Sequence, residues 1–561
     1  MHRRIVLAIF VLTVFFSESN AQTDAPRGWH LLDLAKDSFY GISLDKAYQF
    51  LKEKHRTSKP VIVAVLDSGV DTTHEDLKSV LWRNPKEIPG NGIDDDGNGY
   101  VDDVYGWNFL GGKDGRNVTK TSDERSRVFH HFKAKFAGKA IDTAALSVLD
   151  KDDYILWKKA SDQLNFSSDD QVQLMFIEIT TKAIKKHDKV LRKEMGCEEY
   201  TCEKVEKFEP ATRTAREAKF GYLTCMKMIG VDADEKNTST ISDLDEEVEK
   251  MKSNAEARDI PPIDYRADII KDDYYNFADR YYGNNDVMAG SGAKHGTHVS
   301  GLIGAQRNNG KGMDGVADNV KIMMVRVVPE GDEYDKDVAL GIIYAVDNGA
   351  KVINMSFGKS FSPEKRWVDS AVHYAELHDV LIVHASGNET ADIDNKENYP
   401  NPWLKQWNTN ATNFITVGAS SDPKISGGIV ADFSNYGKNN VDVFAPGVRM
   451  YSALPGGNEY GNLKGTSMAA PVVAGLAALI RSYYPDLKAI DVKKIIESSV
   501  TIPAADIISI RPGTKDENVP FSQLSRSGGI INAYNAVQMA EITKASILHK
   551  PASSNAGKAK L

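Results

Sequence analysis

Short, largely apolar runs recur along this chain. The first covers residues 61–66, Val-Ile-Val-Ala-Val-Leu, and further runs cover 322–328, 352–355, 380–383 and 414–417. Runs of this length, rich in β-branched residues and lacking polar alternation, fit strands buried on both faces of a parallel sheet. Helical patterns alternate with them. Leu44, Ala47, Tyr48, Phe50 and Leu51 share one face, 337–348 forms a second helix and 363–378 a third. In the third, Ser362 is placed to cap and Pro363 takes the first helical position. This alternation predicts an α/β fold, a doubly wound, mostly parallel sheet with helices on both faces. One apolar stretch is longer. After the turn Gly465-Thr466-Ser467-Met468-Ala469-Ala470-Pro471, the apolar run 472–480 reads as a buried helix with Ser467 at its N-terminus.

Between 113 and 283 the pattern changes to charged helical segments. In 167–194, Val172, Met175, Ile179, Ala183 and Val190 keep one face, with Ser167 as cap and Gly196 as stop. Segments 201–228 and 243–257 look similar. A mainly helical insertion therefore divides the α/β domain into 22–112 and 284–540, and Asp259-Ile260-Pro261-Pro262 begins the return. Residues 541–561, rich in Lys, Ala and Ser, are expected to form a disordered tail.

Composition narrows the class. The 561 residues are 41% hydrophobic and 26% charged, as in a soluble globular protein. A net charge of −9 provides no basic footprint for nucleic acid. His2, Arg3 and Arg4 precede the apolar stretch 5–16, and Ser19-Asn20-Ala21 offers small residues for cleavage. Residues 1–21 thus read as a secretory signal peptide, which implies export to the periplasm or the exterior. No other stretch reaches the length of a membrane span, so no span is expected in the mature chain. Cys197, Cys202 and Cys225 are the only cysteines; one pair could be linked, and the fold cannot rest on a disulfide framework.

Four local patterns bear chemistry. Asp67 closes the first strand in Leu66-Asp67-Ser68-Gly69, at the edge where open α/β sheets gather functional groups. His295 opens His295-Gly296-Thr297-His298-Val299-Ser300-Gly301, a helix of small residues; the two histidines lack the i,i+4 spacing and intervening glutamate of a zinc pair. Asn388 follows a strand in Ser386-Gly387-Asn388. Ser467 sits where helix N–H groups converge, a favourable place for developing negative charge. A serine, a histidine to take its proton, a carboxylate to orient the histidine and an amide donor are the parts of nucleophilic acyl transfer.

Taken together, these words resemble the subtilisin-like serine proteases, the subtilases. Asp67, His295 and Ser467 occur in the Asp…His…Ser order of that family. Asn354-Met355-Ser356-Phe357-Gly358, Phe433-Ser434-Asn435-Tyr436-Gly437, Phe444-Ala445-Pro446-Gly447 and Gly528-Gly529-Ile530-Ile531-Asn532-Ala533 also match, so the likeness covers 28–112 and 284–540. It implies Ser467 as nucleophile, His295 as base, Asp67 as its orienting carboxylate, and Asn388 with the Ser467 amide as oxyanion donors. It also implies Ser356, Phe357, Gly358, Ser386 and Gly387 as substrate-binding residues, and protein or peptide substrates. Phe357, His384 and Ala385 favour an uncharged first-site residue. Two departures stand out. Asp67 and His295 lie 228 positions apart, and the stretch between the signal peptide and the first strand resembles the catalytic domain's own start, so the family's usual propeptide is not expected. The alternatives are an inactive subtilase fold used for binding, which would have lost one of these residues, and an esterase, which would need Gly-x-Ser-x-Gly and the order Ser…Asp…His.

One acidic stretch, residues 94–105, fits a calcium loop in part. Asp94, Asp96, Asn98, Tyr100 (through its carbonyl) and Asp102 occupy ligand positions, whereas position 12 is Tyr105 instead of the bidentate glutamate. The expectation is a structural Ca2+ outside the chemistry, and no cofactor for catalysis.

Overall fold

The computed structural model describes residues 25–164, 167–231, 233 and 235–548. The expected signal peptide lies outside the described residues. Seven strands form one parallel sheet: β1 (Val61–Asp67), β2 (Gly106–Asn108), β3 (Val320–Arg326), β4 (Val352–Met355), β5 (Leu381–Ala385), β6 (Phe414–Ser420) and β7 (Val443–Pro446). Their order is β2-β3-β1-β4-β5-β6-β7, and β1 pairs with β3 in register from Val61↔Val320 to Asp67↔Arg326. The doubly wound α/β expectation holds. β2 and β7 are not among the predicted runs: Gly106–Asn108 holds a single apolar side chain, and Val443–Pro446 closes on a proline.

Two cores flank the sheet, and the two-residue repeat of the strands assigns side chains between them. Val63, Val65, Ile322 and Met324 join a core containing the helix Thr466–Tyr483, while Ala64, Leu66, Met323 and Val325 join the opposite one, under the helices Asp335–Asp347 and Lys365–Leu377. The last of these begins two residues later than Ser362 and Pro363 predict. Asp335 is the reason: it accepts from the Ser362 hydroxyl and the Glu364 N–H, holding that stretch in a turn. The expected tail also differs. The helix Ala533–Leu548 runs through residues 541–548, with Ala536, Val537 and Ala540 buried in the first core and Arg56 paired to Glu541. Residues 549–561 lie outside the described residues.

The insertion is helical, in two parts. Helices Glu124–Phe136 and Val148–Gln163 share an apolar core with Phe361 of the sheet domain. Helices Ser168–Met195, Cys202–Lys207, Arg213–Ile229 and Asn237–Glu256 surround a separate core of insertion residues, including Ile184, Leu191, Tyr222 and Met226. Ser167 and Asp170 form a capping box and Gly196 ends the helix in the left-handed conformation, as predicted. The buried face differs from the one expected: Val172, Met175 and Ile179 are exposed, and Thr180, Ile184, Asp188 and Leu191 are buried. Asp188 decides this register, since it accepts from Tyr200, Asn237 and Arg192 inside the bundle. All three cysteines are free.

Buried charges join the insertion's ends to the sheet domain. Arg266 makes paired hydrogen bonds to Asp337 at 2.7 and 3.0 Å and to Asp272 at 2.7 and 2.8 Å, and Lys336 also reaches Asp272. Burial pushes Asp272 up, yet Arg266 and Lys336 outweigh it and hold the carboxyl below its usual range. Removing one partner leaves an uncompensated buried charge. Arg266→Ala is therefore expected to cost about 3–5 kcal/mol of stability, read as a lower urea midpoint.

Candidate active site

Parallel strands bring their carboxyl ends to one edge, and the site is assembled there. Asp67 ends β1. Its Oδ1 accepts from the Ser68 N–H and from His295 Nδ1, both at 2.7 Å. The carboxylate is 1% exposed and the imidazole 37%, so the acid is hidden and the base faces solvent. With Nδ1 donating to Asp67, the neutral ring presents the Nε2 lone pair outward. Burial lowers the affinity of His295 for a proton, but the Asp67 charge and hydrogen bond more than offset it, and the pKa is raised.

His295 lies on the first turn of the helix Lys294–Gly304. Gly296 lets that helix approach the Asp67 turn: a Cβ there would stand 2.2 Å from the Gly69 carbonyl oxygen and 3.1 Å from Asp67 Oδ1. His298 has a different task. It is fully buried, donates from Nε2 to the Met450 carbonyl at 2.8 Å, and has its pKa driven down to about 3 by burial. It anchors the hairpin of Met450–Leu454 and Glu459–Leu463, which leads into Gly465.

Ser467 sits on the first turn of the helix Thr466–Tyr483, as its sequence predicts. Gly465 enters that helix at φ 150°, ψ 161°, a conformation reserved in practice for glycine. Inside the helix, Pro471 has no N–H to offer the carbonyl of Ser467 four residues back. Ser356 Oγ donates to that carbonyl instead, at 2.9 Å, while Ser467 Oγ donates to the Ser356 carbonyl at 3.0 Å. Asn354 Nδ2 in turn donates to Ser356 Oγ at 2.9 Å. The end of β4 and the start of the helix are thus clasped in both directions.

Asn388 follows β5. Its Oδ1 accepts from the N–H and the hydroxyl of Thr466, at 2.9 and 3.0 Å. A backbone N–H can only donate, so the amide orientation is set and Nδ2 is left available for a ligand. Thr466 Oγ1 also accepts from the Gly387 N–H at 3.1 Å. Of the remaining predicted substrate residues, Phe357 is half-buried with its ring 6.5 Å from that of His384, Gly358 follows it at the end of β4, and the Ser386 carbonyl accepts from Asn398 and Asn435. His384 is buried and its pKa lowered to about 4 by burial, so at neutral pH this wall carries no charge from it. Thr466, Asn354 and Pro471 were not singled out from the sequence. Their signal was membership of the two motifs around Ser467 and Ser356.

The predicted calcium residues do not all converge. Asp94 and Asp96 approach each other, whereas the two carboxylate oxygens of Asp102 accept from the N–H groups of Gly90, Asn91 and Gly92. The Asn98 amide reaches Asp103 through Nδ2 and accepts from the Tyr100 N–H through Oδ1.

Residues 58–528 match the model of the subtilase family, and the chain belongs to that family. A thermophilic serine proteinase of Bacillus sp. (strain AK1) is 37% identical over 264 residues, 47% of this chain and 55% of that protein. A cell wall-associated protease of Bacillus subtilis (strain 168) is 38% identical over 237 residues, 42% of this chain and 24% of the other. Subtilisin DY of Bacillus licheniformis is 38% identical over 212 residues, 37% of this chain and 71% of its own length. The chain therefore spans about half the length of the first relative and a quarter of the second.

Two outcomes follow from the geometry. Thr466→Val removes one of the two bonds fixing the Asn388 amide, and Asn388→Ala removes the amide itself. The second is expected to lower kcat by about 10²–10³-fold and the first by less, with KM little changed. The raised pKa of His295 places the acid limb of kcat/KM above the ordinary imidazole value of about 6.5, with activity lost as pH falls through it. In Asp67→Asn the charge that raises the pKa is gone, so the residual activity should show its acid limb at lower pH.

Proposed function

We propose that this protein is an exported serine endopeptidase acting on protein or peptide substrates. The observation that carries the reading is the hidden carboxylate of Asp67 bonded to an open His295; Ser467 on the first turn of its helix and an Asn388 amide whose Oδ1 is held by Thr466 supply the other parts. Attack begins when the Ser467 hydroxyl leaves the Ser356 carbonyl and turns to His295 Nε2. The imidazole takes the proton as Oγ bonds the scissile carbonyl carbon. The oxyanion is held by Asn388 Nδ2 and the Ser467 N–H, an amide in the first helical turn, where no intrahelical acceptor exists. His295 then gives the proton to the leaving amine, the C–N bond breaks, and water repeats the sequence on the acyl-enzyme. Asp67 holds the ring in place and stabilises the imidazolium.

Ser356, Phe357 and Gly358 are suited to pairing with an extended substrate backbone, and Phe357 with the uncharged His384 favours an uncharged residue before the cut. Export is supported by the N-terminal pattern at 1–21 and by the cell wall-associated relative; no helix among the described residues is long and apolar enough to cross a membrane. An inactive binding protein would lack part of this constellation, and every part is present.

A fluorophosphonate probe is expected to label the folded wild-type chain and to leave Ser467→Ala unlabelled. Folded wild-type protein that stays unlabelled would refute the enzymatic reading.

A further inference from the structure

We propose that the outer face of the insertion's longest helix, Ser168–Met195, docks on an anionic lipid surface. Val172, Met175, Phe176 and Ile179 lie on that face and are 61%, 55%, 47% and 60% exposed. Lys182, Lys186, Lys189 and Lys193 continue the same line toward the C-terminus, and all four are exposed. At about 100° per residue, these eight positions fall within an arc of roughly 140°. The buried residues Thr180, Thr181, Ile184, Asp188 and Leu191 take the other side, where Ile184 and Leu191 enter the bundle core.

Large apolar side chains at helical spacing ordinarily turn inward. Here the inward side is already filled, in the register that Asp188 sets, and the four stay in water. An exposed apolar patch of this kind marks a contact surface. The lysines are the second observation. Among the described residues none of the four makes an ion pair, whereas Lys185 and Arg192, nearer the bundle, pair with Asp245 and with Asp188 and Glu198. The helix's own acids do not offset them. Asp188 is buried, Asp170 closes the cap and Glu178 pairs with Lys252 at 3.0 Å, while Asp169 and Glu194 lie at or beyond the edge of the arc. Four uncompensated lysines thus stand in line on a chain whose net charge is −9.

An apolar tract continued by a basic one selects the partner. The face is the back of a helix, and it runs about 30 Å from Val172 to Lys193. No hydrogen-bonding side chain interrupts the four apolar ones on that arc, so nothing there selects one particular polar partner. A plane of equivalent negative headgroups fits this pattern. The apolar side chains enter the boundary between headgroups and acyl chains, and the lysines reach phosphates on flexible stems. Each lysine near such a surface adds attraction without needing a fixed geometry. The association is peripheral and needs no membrane-crossing helix.

The experiment uses the chain from Gln22 onward, so that the apolar run 5–16 cannot carry the binding, in the Ser467→Ala background, which prevents self-cleavage. Co-sedimentation is measured with vesicles of phosphatidylglycerol and phosphatidylcholine in equal parts, and with vesicles of phosphatidylcholine alone. The expected result is binding to the mixed vesicles at low salt, falling as salt screens the lysines. Affinity should be at least about tenfold weaker in the double variant Lys186→Gln with Lys189→Gln, and likewise in Met175→Ser with Ile179→Ser. These positions are exposed, and circular dichroism reports whether each variant folds; Lys182→Gln with Lys193→Gln serves if one does not. Wild-type protein that stays in the supernatant or binds the neutral vesicles equally, or folded variants that bind like the wild type, overturns the proposal. A dimer in sedimentation velocity that the same substitutions abolish, without vesicle binding, also overturns it and assigns the face to a second copy of the chain.

Discussion

A sheet whose strands all run the same way has one edge at which every strand ends, and this molecule gathers the residues of the candidate site on that edge. β1 ends in Asp67, β4 leads to Ser356, and β5 leads to Asn388. The helix Thr466–Tyr483 packs on one face of the same sheet and starts level with them. What holds this arrangement is the exchange between Ser356 and Ser467, each hydroxyl donating to the other's carbonyl. Pro471 makes it possible by leaving the Ser467 carbonyl without its helical donor. A residue usually harmful inside a helix here frees an acceptor for the neighbouring strand. Asn354, on the face of β4 toward that helix, supports the exchange from below.

The insertion is joined to this frame by charges taken out of water. Lys359, the residue after Gly358, pairs with Glu124 at 2.7 Å and Asp335 at 2.9 Å, and Arg127 reaches both Glu124 and the main chain of Glu333. The insertion's first helix is thereby fixed next to the segment suited to hold substrate backbone. The helix Asn237–Glu256 meets the sheet domain more loosely. Lys294, beside His295, donates to Ser239 at 3.1 Å, and Lys236 lies 3.8 Å from Glu459. The insertion thus reaches the sheet domain in two ways, through buried ion pairs at its first helix and at Arg266, and through half-exposed contacts where Asn237–Glu256 begins.

Much of this was legible in the chain because the relevant words are local. Strand β1 and Asp67, the His295 helix, Ser467 at its helix start and the Ser167 cap all depend on neighbours within a few residues. The parts that escaped depend on distant ones. Glu124 and Lys359 are 235 positions apart, and nothing in either neighbourhood marks them as partners. Val172, Met175 and Ile179 made a credible apolar stripe, but the hydrogen bonds of Asp188 turn a different face inward. Thr466 looked like a spacer before Ser467, and its role appears only when Asn388 is brought beside it. The Asp102 carboxylate fitted a ligand position by spacing, and the turn at 90–92 claimed it.

The four helices from Ser168 to Glu256 close around an apolar core of their own. Exposed ion pairs are worth at most about 1 kcal/mol each, so the contacts at Lys236 and Lys294 add little to its hold on the sheet domain. The firmer link is at the other end of Asn237–Glu256, where Arg125 donates to Asn254 and Ala257 is buried in the core that contains Phe361. A body with its own core can open as a cooperative unit, and here that opening would hinge on Ala257.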